Sequence, residues 1–171
     1  MKPEQKAINY RGGVVRFCIP SNWIEEYEPE GGGTFYEDRP DSGTLRLNVL
    51  EFESPTKVSD DMARDAFQGH PMQVLQSGFT MQVLPSGFTM RRYVWPAVEE
   101  SEALNIHRWE VAVPVPPHCL RLVIFAHTIV AGQEDDPRIA TELQMIEDSV
   151  TTAEFSQNTG VKGSYYHDAN A

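Results

Sequence analysis

The chain has 171 residues, 40% hydrophobic and 23% charged, enough for one packed domain and too apolar for wholesale disorder. Its formal net charge is −11, from 14 Lys and Arg against 25 Asp and Glu. That balance argues against phosphate backbones and anionic lipid, where cationic side chains supply much of the affinity, and leaves a protein partner, a basic one included. No apolar run approaches the roughly 20 residues of a membrane-spanning helix, and the start, MKPEQKAINY, has no apolar core of a secretory signal behind it. Cys18 and Cys119 both fall in strand-like segments. They read as two buried free thiols in a reducing compartment, so a cytoplasmic location is expected.

Residues 1–9 read as a polar leader. Tyr10 to Ile19, YRGGVVRFCI, reads as one strand ended by Pro20, with Ser21-Asn22 as a turn and Trp23 as an apolar anchor. Glu25 to Gly33, EEYEPEGGG, reads as a flexible acidic loop, because the ordered ladder of a calcium loop is missing. Thr34–Tyr36 is a short strand, and Glu37 to Gly43 is a turn by composition. Thr44 to Phe52 alternates: Leu45, Leu47, Val49 and Glu51 on one face, Arg46, Asn48, Leu50 and Phe52 on the other.

Ser59 is placed to cap a short helix, with Asp60 and Asp61 in its first turn and Met62, Ala63, Ala66 and Phe67 as its apolar stripe. Residues 72–89 hold a tandem repeat, MQVLQSGFT then MQVLPSGFT. Two copies are too few for a solenoid. The second copy runs into a strand, Phe88 to Trp95, with Pro85-Ser86-Gly87 as its turn. The first is expected to be an edge hairpin or a surface insertion. Pro96 to Glu102 reads as an acidic turn, Ala103 to Val113 as a strand, and Pro114, Pro116 and Pro117 as a stiff connection.

The longest apolar run is Cys119 to Val130, CLRLVIFAHTIV. Leu120, Leu122, Ile124, Ala126, Thr128 and Val130 share one face; Arg121, Val123, Phe125, His127 and Ile129 share the other. Apolarity on both faces predicts an inner strand, with the Arg121/His127 face the less covered. Asp136 caps a final helix with Pro137 at its first position. Ile139, Leu143, Ile146, Val150 and Ala153 form its stripe, which runs to about Phe155. One α+β domain is expected over residues 1–155, an antiparallel sheet of about six strands flanked by helices, followed by a mobile tail over 156–171.

F-C-I-P-S-N-W at 17–23, a short strand before a second alternating strand, and I-E-D-S-V at 146–150 in the last helix resemble the PsbP/Mog superfamily, as in its bacterial DcrB-related members of unknown function. The resemblance covers about residues 10–155. It implies an α/β/α sandwich and a binding role, and it carries over no catalytic residue.

No residue pattern supports catalysis, a cofactor or a metal. His70, His107, His118, His127 and His167 lie in no metal-binding spacing. Cys119 and His127 share a face but stand roughly 26 Å apart along an extended strand. Gly31-Gly32-Gly33 lacks the Lys-Ser/Thr of a phosphate loop. Arg121 and His127 are candidates to line a groove, weighed against Arg121 pairing with an acidic neighbour. Trp23, Tyr36, Trp95 and Trp109 are the residue types that anchor interfaces and equally those that fill cores. The leading expectation is a non-enzymatic protein-binding or adaptor domain. The alternatives are a small-molecule binder or small enzyme with a pocket between sheet and helix, or an acidic immunity-type protein.

Overall fold

A computed structural model describes residues 3–65 and 79–158. Among the described residues, ten strands form two antiparallel sheets. A main sheet of seven has the order β3-β4-β5-β9-β8-β7-β6, and a small sheet of three has the order β1-β2-β10. The strands are β1 Gln5–Tyr10, β2 Val15–Pro20, β3 Ile24–Tyr27, β4 Gly33–Tyr36, β5 Thr44–Glu53, β6 Phe79–Val83, β7 Thr89–Glu99, β8 Glu102–Val115, β9 Cys119–Val130 and β10 Glu154–Phe155. The α-helices of the described residues are α1 Asp60–Asp65 and α2 Pro137–Thr151. The expected six strands are therefore seven plus three. A small sheet shares one covering layer with α2, where flanking helices alone were expected.

β9 has the expected bounds and an inner position between β5 and β8. Its faces are the reverse of expectation. Arg121, Val123, Phe125 and His127 are at 0% exposure, while Leu120, Leu122, Ala126, Thr128 and Val130 stay partly exposed. The reason is the small sheet, which packs on the Arg121/His127 face. Phe17 of β2 meets Phe125 edge-on at 5.1 Å and Phe35 of β4 at 5.4 Å. Each such pair contributes about 0.5–1.5 kcal/mol beyond its buried area. This inner face holds the core. The outer face carries α1, whose Ala63 packs on Ala112 beside Leu120 and Leu122.

Other differences have local causes. The leader is strand β1: Ile8 and Tyr10 are buried, and Ala7 pairs with Cys18 across the hairpin. The single strand read over Tyr10–Ile19 is broken at Arg11, Gly12 and Gly13, whose φ values are 47°, 71° and 104°. Two of these three left-handed positions fall on glycines, which adopt them without a Cβ penalty. The acidic loop holds strand β3, because its glutamates find partners: Lys6 meets Glu25 at 2.8 Å, and the hydroxyls of Tyr27 and Tyr36 donate to Glu25 and Glu26 at 2.7 Å.

The acidic turn shrinks to Glu100-Ser101, with φ 49° and 68°, since β7 runs through Pro96 to Glu99 and β8 starts at Glu102. Pro114 sits inside β8 opposite Leu120. Cys18 is exposed, on the outward side of β2, whereas Cys119 is buried, and no disulfide joins them.

Ser59 Oγ accepts from the Met62 amide at 3.3 Å and caps α1 as expected; Ala66 and Phe67 lie outside the described residues. Asp136 accepts from the Arg138 amide at 2.9 Å and caps α2, with Pro137 in its first turn. That helix ends at Thr151, and the chain returns to the small sheet as β10, pairing with Arg16 and Val15. Beyond it the Ser156 amide bonds to the Val14 carbonyl at 3.1 Å, and the Gln157 side chain donates to the Pro114 carbonyl at 2.8 Å. Residues 159–171 lie outside the described residues. So do Met72–Gly78, most of the first repeat; its Phe79 and Thr80 open β6, and the second copy supplies Met81–Val83 and the turn into β7.

Candidate interaction face

Each face of the main sheet carries its own polar system. On the inner face, basic and imidazole side chains of the strands meet carboxylates from the segment after β9. Glu142 of α2 lies 3.5 Å from His127. Glu147 accepts from the Trp109 indole and from Arg92 at 3.3 Å, and the Arg92 guanidinium lies over the Trp109 ring at 4.1 Å. Glu134 accepts from Asn105 at 2.7 Å and meets His107 at 3.0 Å.

Arg92 can only donate, so its 2.8 Å contact makes His107 Nδ1 an acceptor and leaves the proton on Nε2, facing Glu134. Burial is the first cause holding the His107 pKa below its ordinary value of 6.5, and the Arg92 charge adds to it. For Glu134, burial would raise the pKa, but hydrogen bonds from Asn105, His107 and the backbone outweigh it and hold the carboxyl low.

At the other end of β9, Arg121 is fully buried. It meets Glu51 at 3.1 Å and donates to the Ser156 carbonyl at 2.7 Å. Trp23 is buried and stacks on His127 at 6.5 Å, and Trp109 is at 0% exposure. Of the six residues singled out from the sequence, Arg121, His127, Trp23 and Trp109 are thus buried, Trp23 in the wall of a cleft. Tyr36 and Trp95 keep partial exposure, on β4 and on the outer face of β7. The space between sheet and α2 is filled by Trp109, Phe125 and Ile146. Beside it lies a cleft of about 270 Å3 lined by Trp23, Arg39, Arg138 and Glu142. Among the described residues, no group of three or more His, Cys, Asp or Glu side chains is placed to hold a metal ion, and no helix is long and apolar enough to cross a membrane.

The outer face is built differently. Its centre is Glu110, buried at 3% exposure, which pairs with Arg91, accepts from the Tyr93 hydroxyl at 2.8 Å and meets Arg108 at 2.9 Å. Burial, then Glu110, pushes the Tyr93 hydroxyl up to about 12. Below this network Leu50 and Phe52 of β5 stand 45% and 50% exposed, in register with Leu122 and Leu120 of β9. β4 pairs with β5 only over Thr44–Leu47, so these two side chains sit on the stretch that β4 does not reach. Above the network a cleft of about 630 Å3 opens between the β7–β8 hairpin and the loop before β5. The sequence signal for this surface lay in β5. Two large apolar residues end a face that begins with Arg46 and Asn48, and a purely solvated face has no use for them.

With seven antiparallel strands in this order, a three-stranded sheet and one long helix on the inner face, the topology can be set beside solved structures. LpqN of Mycobacterium tuberculosis, described as involved in cell envelope biogenesis, has a TM-score of 0.60 at 10% identity, over 88% of this chain and 89% of that one. A point mutant of protein Mog1 has 0.51 at 9% identity, over 92% and 99%. A protein of Bacteroides thetaiotaomicron VPI-5482 has 0.58 at 15% identity, over 91% and 49%, so the chain spans about half of that protein's length.

The fold is Mog1-like. At these identities the likeness concerns the Mog1-like fold alone. No family model matches the sequence, and no curated protein matches it.

Proposed function

We propose that the chain is a non-enzymatic protein-binding module that presents the outer face of its main sheet to a protein partner. The observation that carries this is the Leu50–Phe52 pair, two large apolar side chains about half exposed beside Leu120 and Leu122. Contiguous exposed apolar surface rimmed by polar groups marks interaction sites. The polar side chains of the inner face also bond to one another: His107, Arg92, Trp109, Glu134 and Glu147 are engaged within the molecule. A cytoplasmic setting is part of the proposal, supported by the exposed free thiol of Cys18.

The test is quantitative affinity capture with the wild type and with Leu50→Ser/Phe52→Ser. The variant is expected to keep its melting midpoint, because both side chains are already half in water, and to lose the captured partner. Equal capture by both proteins would remove this face from consideration.

A further inference from the structure

We infer that the upper cleft of the outer face takes a basic segment of the partner, an aliphatic side chain flanked by lysine or arginine. The inference rests on the reading of this face as a partner-binding surface and adds the partner's chemistry. The floor of the cleft is aliphatic: Leu104 and Ile106 from β8 and Val130 from β9, each partly exposed. Its rim is anionic. Glu99, Glu100 and Glu102 come from the β7–β8 hairpin and Asp41 from the loop before β5, against one guanidinium, Arg46.

Among the described residues, none of these four carboxylates is in an ion pair, although Glu25, Glu37, Glu51, Glu110 and Glu147 each have one. Glu99 and Glu102 are also direct partners across the hairpin end, an arrangement in which like charges repel. A cation between them would relieve that repulsion. An apolar residue on the aliphatic floor would set the register, and an acidic or neutral peptide would meet uncompensated charge.

The probe is a short fluorescent peptide of alternating lysine and leucine. Its controls are the same length of alternating glutamate and leucine, and of alternating lysine and serine. Anisotropy gives affinity, and amide chemical shifts give the place.

The lysine–leucine peptide is expected to bind wild type with shifts centred on Leu104, Ile106 and Val130. Its binding should weaken about tenfold in Glu99→Gln/Glu102→Gln, two exposed charge contacts being lost together, and should weaken further with salt. The lysine–serine peptide should bind less well, and the glutamate–leucine peptide not at all. The double variant removes a like-charge pair, so its melting midpoint should not fall.

Three results overturn the inference: no binding by the lysine–leucine peptide, unchanged affinity in the double variant, or shifts spread over acidic surface such as Glu25 and Glu26. A failed peptide with partner capture still lost in Leu50→Ser/Phe52→Ser removes the cleft assignment alone. Capture unaffected by that variant removes the wider reading of the face.

Discussion

His107 and His127 are direct partners across the β8–β9 pair, both on the buried side of the main sheet, and each faces a carboxylate from the chain that follows β9. The two differ in their hydrogen bonds. His107 accepts from Arg92 on one nitrogen and faces Glu134 with the other. Both nitrogens of His127 lack a hydrogen-bond partner, and Glu142 is 3.5 Å away.

The first prediction follows from His107. Its folded pKa is held below 6.5 by burial first, then by Arg92. The unfolded chain therefore binds the proton more readily, and stability falls as pH drops below about 6.5, by at most about 1.4 kcal/mol per pH unit from this one group. Arg92 on β7, Glu134, Glu147 on α2 and His127 on β9 all face this neighbourhood. Glu134, whose folded pKa is lowered, adds a second loss only below about 4.5. Denaturant midpoints measured between pH 7.5 and about 5 should decline in wild type and decline less in His107→Gln. Parallel curves for the two proteins would show that His107 is not the group responsible.

Arg121 offers a cleaner stability test. Its guanidinium is at 0% exposure between Glu51 and the Ser156 carbonyl. Arg121→Ala leaves a carboxylate and a carbonyl facing an internal gap. The expected loss is about 3 kcal/mol, or a fall in midpoint on the order of 10 °C. The volume-matched pair Arg121→Met/Glu51→Met should recover most of it. A small effect in the single variant would mean that water reaches the site.

Gly43, just before β5, is buried, and a Cβ there would come within 2.7 Å of His127 Cε1 and 3.1 Å of Ile129 Cγ2. No rotamer change at position 43 avoids the imidazole, which is held between Trp23 and Glu142. Gly43→Ala should cost about 1–3 kcal/mol, as overpacked cores do, and His127→Ala in the same chain should return part of that. Simple additivity of the two losses would mean the two sites do not touch in solution.

The repeat yields the fourth prediction. Deleting Met72–Thr80 removes two residues of β6, Phe79 and Thr80, and keeps Met81–Val83 with the turn into β7. A longer connection costs little entropy, about 0.6 kcal/mol per doubling, and β6 lies at the end of the sheet order. The shortened chain is expected to fold with a midpoint within about 10 °C of wild type. A larger drop in a thermal melt would mean that the first copy packs a required strand.

Period-2 patterning alone was enough to locate β5 and β9, and the cap Asp136-Pro137 with its apolar stripe located α2, because these signals are written within one segment. Glu142 stands three residues from Ile139 and four from Ile146, on the same helix face, and it is buried with them. Leu50 and Phe52 were legible in the same way, as apolar residues on a face that should have been polar.

Other features depended on residues distant in the chain. β1 and β3 look polar in isolation and become strands only because β2 and β4 offer them hydrogen bonds and Lys6, Tyr27 and Tyr36 engage the glutamates. Which face of β9 would be buried could not be read from β9, since both faces are apolar enough. The choice was made by Phe17 and the small sheet, whose β1 and β2 precede β9 and whose β10 follows it, and which packs on the side that holds Arg121 and His127. Composition and alternation determined by themselves that this chain is an acidic α+β protein with an inner strand at Cys119–Val130. Only the tertiary structure decided which side is core and which stays exposed, because burying an arginine and a histidine becomes tolerable only where Glu51, Ser156 and Glu142 arrive from elsewhere to face them.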